Sequence, residues 1–164
     1  MTLNISQRTP QQALAALLER VAPQRLLLVG SHFPALDAFA QAHPQTLIEH
    51  VPAAALPSHI AAQRYDLAVL VECLEHLPKR NGLELLGGIR NLNASKVAVL
   101  ADLQACGWHD TDFYALALSA SETFSRDTQQ LRLFTYDLRD YKQVPDWLNA
   151  RFWANPENFG KYWW

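Results

Sequence analysis

At 164 residues the chain is long enough for one domain with its own core and too short for two enzymatic ones. Hydrophobic residues make up 49% and charged residues 18%, which excludes a disordered, collagenous or coiled-coil chain. A formal net charge of −2 gives no bulk attraction to duplex DNA or an anionic membrane.

Thr9-Pro10-Gln11-Gln12 reads as a capped helix start, and Leu14, Leu17, Leu18 and Val21 follow at helical spacing, so a helix is expected over 10–21. No apolar signal core precedes it. Arg25-Leu26-Leu27-Leu28-Val29 is a continuous apolar run ending at Gly30, as in a strand covered on both faces of a parallel sheet. Pro34 opens a helix to about residue 42. Residues 46–50 form the next strand, and 52–64, with Pro52 and Pro57, a loop holding one short helix at most. Asp66-Leu67-Ala68-Val69-Leu70-Val71 is the clearest buried strand, followed at once by Glu72-Cys73-Leu74-Glu75-His76. A helix is expected over 80–92, weakened at Gly87-Gly88. A strand follows over 96–101, and then a helix capped by Asp110 and carrying Phe113, Leu116 and Ala117. Residues 122–126 and 131–138 suit an antiparallel hairpin.

Strands alternating with helices predict an α/β fold. Its sheet should be mostly parallel, closed by a C-terminal antiparallel hairpin, with helices on both faces. After residue 140 the composition shifts: Trp147, Trp153, Trp163 and Trp164 are four of the five tryptophans. We therefore divide the chain into a domain over 1–140 and an aromatic tail over 141–164, packed on the domain or on a second copy as a homodimer. Cys73 and Cys106, far apart and without a CxxC pair, exclude a disulfide scaffold and suit a reducing, cytoplasmic setting. No apolar run is long enough to span a bilayer.

Ligands of open α/β sheets bind outside the carboxyl ends of the strands, where the chain order reverses. Four places qualify: residues 30–33, Glu49-His50, residues 72–76 and residues 102–109. Gly30 permits a close backbone approach or a plain turn. Glu49 could accept ribose hydroxyls or stay solvated. Glu72, Glu75 and His76 stand at i, i+3 and i+4, so a helical turn would aim all three one way. Three roles stay open for them: holding magnesium or manganese, acid–base work by Glu75 and His76, or local helix-start hydrogen bonds. Cys73 reads as a small buried hydrophobe or a site neighbour.

The stretch Tyr65-Asp66-Leu67-Ala68-Val69-Leu70-Val71-Glu72-Cys73-Leu74-Glu75-His76-Leu77-Pro78 resembles the centre of class I S-adenosylmethionine-dependent methyltransferases, whose fourth strand runs into E-x-x-E-H-L. The order of elements is similar over residues 10–138. The resemblance implies a Rossmann-like fold with S-adenosylmethionine or a related nucleoside over the first-strand turn. Gly30, Ser31 and His32 would line it, Glu49 would take the ribose, and Glu72 and Cys73 would flank the substrate side. One branch, the small-RNA 2′-O-methyltransferases, implies a divalent metal on Glu72, Glu75 and His76, with His109 as the later ligand. The first motif departs from the family's glycine-rich pattern, reading Gly30-Ser31-His32-Phe33-Pro34, and one strand–helix unit is missing, so Glu49 belongs to the family's second or third strand. This implies a shortened, degenerate member, with a non-catalytic interaction protein working through its aromatic tail as the alternative.

Overall fold

The computed structural model describes residues 8–126 and 129–138; the tail expectations, from residue 141 on, lie outside them. In chain order the elements are α1 (Pro10–Val21), β1 (Arg25–Gly30), α2 (Pro34–Ala42), β2 (Leu47–Val51), α3 (Ser58–Ala61) and β3 (Leu67–Val71). After a single 3-10 turn, Leu74–His76, come α4 (Lys79–Gly88), β4 (Lys96–Ala101), α5 (Leu103–Cys106), α6 (Asp110–Ala115), β5 (Ser119–Arg126) and β6 (Gln129–Asp137). One six-stranded sheet runs in the order β2-β1-β3-β4-β6-β5. Its first four strands are parallel, and β6 is antiparallel to both β4 and β5. This is the mixed, mostly parallel α/β sheet that the sequence predicts.

Local chemistry accounts for the elements. Thr9 Oγ1 accepts from the Gln12 amide while the Gln12 side chain accepts from the Thr9 amide, so the capping box of α1 is complete. The helix then buries Ala13, Leu14, Leu17 and Leu18 along one stripe. Alternate residues of β1 enter two separate cores. Leu26 and Leu28 pack with α1, Phe33 and Phe39, whereas Leu27 and Val29 pack with Ile60, Leu86, Ile89 and Phe113 on the opposite face. All five residues of β3 are buried, because helices cover both of its faces.

Several boundaries differ from the sequence reading, each for a local reason. The helix expected over 80–92 is α4 followed by a π-helical turn, Ile89–Asn93. Asn93 anchors that turn by donating through Nδ2 to the carbonyls of Ala61 and Gln63, both at 2.9 Å. The cap of α6 is His109, one residue before Asp110, and its amide is held by Asp112 Oδ2 at 2.9 Å. Leu116 and Ala117 lie beyond that helix, with Ala117 in a left-handed turn at φ 65°. The first strand of the hairpin starts at Ser119 rather than 122. No helix among the described residues is long and apolar enough to cross a membrane.

Candidate functional site

From β1 the chain passes through α2 to β2 on one side and then returns to β3 on the other, so its order reverses between β1 and β3. The crevice over the carboxyl ends of these two strands is where such sheets bind ligands. Gly30, Ser31, Glu72 and Cys73 meet there.

Gly30 has φ +104°, and a Cβ at that position would lie 2.1 Å from the Val71 carbonyl oxygen. The glycine is therefore required by the contact between two strand ends. The Ser31 amide donates to the same carbonyl at 2.8 Å. Above this junction Ser31 Oγ donates to Glu72 Oε2 at 3.0 Å, tying the two strand ends together through side chains. Glu72 adopts φ +49°, a left-handed conformation that costs a residue with a Cβ about 1–2 kcal/mol. Such strain concentrates at sites where geometry serves a ligand.

Two imidazoles flank the glycine. His50 Nε2 lies 2.7 Å from the Gly30 carbonyl oxygen. A carbonyl only accepts, so Nε2 carries the hydrogen and, in the neutral ring, Nδ1 is an acceptor. His32 Nε2 contacts Asp37 Oδ2 at 2.9 Å, and the two imidazole centroids are 6.2 Å apart. Phe33 turns away into the core beneath α1 and α2 and does not fill the crevice. The role of His50 escaped the sequence reading; a histidine one residue before the end of its strand was the available signal.

Glu49 sits elsewhere. The strand continues to Val51, and Glu49 pairs level with Leu27, three residues short of Gly30. At strand rise this is about 10 Å below the rim. Because β2 pairs directly with β1, Glu49 belongs to the strand beside the glycine turn. It lies within electrostatic reach of Tyr65, whose phenol is pushed up by burial and then by Glu49.

Cys73 is buried against Gly30, and its thiol is pushed up to about 12 by burial and then by the charge of Glu75. It is no nucleophile at neutral pH. Glu75 is half-buried in the 3-10 turn and its carboxyl is raised above the ordinary carboxylate range, first by burial. Its own amide and that of Asp102 donate to it and oppose the rise, whereas the charges of Glu72 and Asp102 add to it. Its Oε1 is buried without a partner among the described residues. Asp102 is committed to capping α5, accepting from the amides of Gln104 and Ala105 at 3.1 and 3.3 Å.

His76 and His109 are exposed. The helical alignment expected of Glu72, Glu75 and His76 does not form, because Glu72 is left-handed and the turn starts only at Leu74. Among the described residues no group of three or more His, Cys, Asp and Glu side chains is placed to hold a metal ion. The metal set of Glu72, Glu75, His76 and His109 is thus not gathered.

A model of the family described as a family of unknown function, DUF6231, matches residues 8–164. The chain belongs to the DUF6231 family. No curated protein matches this DUF6231 member. Solved structures do. Magnesium protoporphyrin IX methyltransferase from Synechocystis, crystallised with S-adenosylmethionine, is 12% identical, with TM-score 0.53, 76% of this chain covered and 77% of that one. A putative O-methyltransferase from Nostoc punctiforme is 17% identical, with TM-score 0.52; 77% of this chain corresponds to 55% of that one, just over half its length. The N-terminal domain of EvdMO1, solved with S-adenosylhomocysteine, is 12% identical, with TM-score 0.51 and 81% and 82% coverage. At these identities the likeness establishes a class I methyltransferase-like fold for the DUF6231 chain.

Proposed function

We propose that this DUF6231 domain binds an S-adenosylmethionine-type nucleoside at the crevice between β1 and β3. The observation that carries the reading is the Ser31–Glu72 hydrogen bond, made by a glutamate in a left-handed backbone directly over the reversal point. A hydroxyl beside a carboxylate suits the ammonium-bearing end of such a ligand. Gly30 and the buried Cys73 supply the close-packed floor. His32 and His50 supply flanking polar edges in place of an acid at the strand end. When bound, S-adenosylmethionine supplies an electrophilic methyl group. On the protein side Glu75 is the group able to retain a proton, because burial opposes its ionisation. His76, exposed one residue on, is the second acid–base candidate.

Two of these neighbouring structures carry such nucleosides, which supports the ligand class without reaching the residues of this chain. Calorimetric titration of the full chain with S-adenosylmethionine and S-adenosylhomocysteine tests the reading. Binding is expected, weakened roughly tenfold or more by Glu72→Gln, as losing a charge-assisted hydrogen bond implies. No heat with either nucleoside at millimolar concentration removes the proposal.

A further inference from the structure

The two histidines beside Gly30 are held in a way that exposure alone does not explain. Both rings are open to solvent, where water satisfies an imidazole without help from the protein. Each is nevertheless fixed through Nε2, His32 by Asp37 Oδ2 at 2.9 Å and His50 by the Gly30 carbonyl oxygen at 2.7 Å. A carboxylate and a carbonyl only accept. In the neutral rings both Nε2 atoms therefore carry the hydrogen, and both Nδ1 atoms are acceptors. Neither Nδ1 has a hydrogen-bond partner among the described residues.

This arrangement prepares an imidazole to bind a metal ion. A ligating histidine donates its other ring N–H to a carboxylate or a backbone carbonyl, which fixes the tautomer, orients the ring and raises the basicity of the ligating nitrogen. Here one ring has the carboxylate and the other the carbonyl. The passage from β1 into α2 supplies His32 and both acceptors, and β2 brings His50 alongside.

The spacing fits as well. A metal–nitrogen bond of about 2.1 Å puts a ring centre about 3.2 Å from the ion, so two rings on one ion stand about 5.2 Å apart at a tetrahedral angle and about 6.4 Å apart when opposite. The His32 and His50 centroids are 6.2 Å apart, with the planes inclined by 39°. Rotation of two exposed side chains covers the rest of that range. Nitrogen donors select zinc, nickel or copper over magnesium, which takes oxygen. Two side chains are fewer than the three of a closed protein site, so water completes the shell. We infer that His32 and His50 bind a zinc-type divalent cation through their Nδ1 atoms, with Asp37 and the Gly30 carbonyl as the groups that orient them.

The metal alone tests this, without any nucleoside, so the two readings of the crevice can fail separately. Calorimetric titration of the tag-free full chain with zinc chloride should show one ion per chain and a dissociation constant in the micromolar range. His32→Gln and His50→Gln keep an N–H for Asp37 or Gly30 but remove the ligating nitrogen, and each should weaken binding roughly tenfold or more. Asp37→Ala leaves both ligands in place and should weaken binding in the same direction, as loss of an orienting group does. His76→Gln and His109→Gln, at exposed histidines on other elements, should leave the constant unchanged. Long-range proton–nitrogen spectra of the imidazoles give a second readout. Zinc should shift two Nδ1 resonances, each lost in one of the two glutamine variants, while the backbone amide spectrum reports that the fold is kept. No heat with zinc at about millimolar concentration overturns the proposal. So does binding that survives both glutamine variants at full strength, or a zinc shift at Nε2 instead of Nδ1.

Discussion

At the scale of single residues, the rim is built from exceptions to ordinary backbone geometry. Gly30→Ala would force a Cβ onto the Val71 carbonyl at a φ of +104°. A loss on the order of 3 kcal/mol in urea unfolding is expected, with failure to fold as the extreme case. Glu72→Gly should act oppositely. Glycine removes the left-handed penalty and forfeits only an exposed hydrogen bond, so stability should rise by up to about 1 kcal/mol while nucleoside binding falls. If both stability and binding fell, Glu72 would be a structural residue and its conformation would have no functional meaning.

What could be read in advance at this scale was limited by side-chain direction. The residues around Gly30 were recognisable as a turn after a buried strand. The spacing of Glu72, Glu75 and His76 misled because i, i+3, i+4 neighbours face one way only if every residue between them is helical. One positive φ at Glu72 breaks that condition, and no local rule places a glutamate there. Glu49 and His50 were both in view, but only the sheet register reveals that the histidine reaches the turn and the glutamate does not.

At the scale of elements, the 3-10 turn after β3 carries a measurable electrostatic cost. The Glu75 carboxyl is raised in the fold, so its favourable contribution is complete below the ordinary carboxylate range. That contribution is lost as pH rises through the folded-state value. Glu75→Gln should therefore stabilise the protein at neutral pH and flatten the fall in stability over that window, read by thermal melts from pH 4 to about 8. The pair at the start of α4 works with the reverse sign. Lys79 Nζ lies 2.8 Å from Asp112 Oδ2 and, with the His109 amide, holds that carboxyl below its usual range. This contribution is present above the ordinary aspartate range and disappears as pH falls below it. Exposure of both partners limits it to under about 1 kcal/mol, and Lys79→Met should remove it.

Element order was largely legible from the sequence, because continuous apolar runs and proline or capping residues mark β1, β3, β4, α1 and α2 directly. Ends were less so. The π-helical turn at Ile89–Asn93 exists because Asn93 finds carbonyl partners on the loop after α3, a tertiary contact that periodicity does not encode. The early start of β5 depends likewise on pairing with β6 rather than on its own Ser119-Ala120-Ser121, which carries no strand signature.

At the scale of the whole molecule, the described residues form two cores, one on either side of the sheet, and the strands contribute to both. On the α4 side Phe134 is fully buried and stacks on Phe113 with ring centroids 3.9 Å apart, and Trp108 lies 4.9 Å from Phe113. Phe134→Ala should cost about 3–5 kcal/mol in chemical unfolding. A loss near zero would mean that the stack is dispensable and that β6 is held by its backbone alone.

The sheet order has a temporal consequence as well. The antiparallel pair attaches to β4 through β6, its second strand, and β5 touches the remainder of the sheet only by way of it. During synthesis β5 therefore leaves the ribosome with no edge to join. Until β6 follows, β4 presents an open row of amides and carbonyls to solvent. A nascent chain halted before Gln129 would hold four aligned strands with a bare, apolar flank, the state in which this polypeptide is most exposed to chaperones and to self-association.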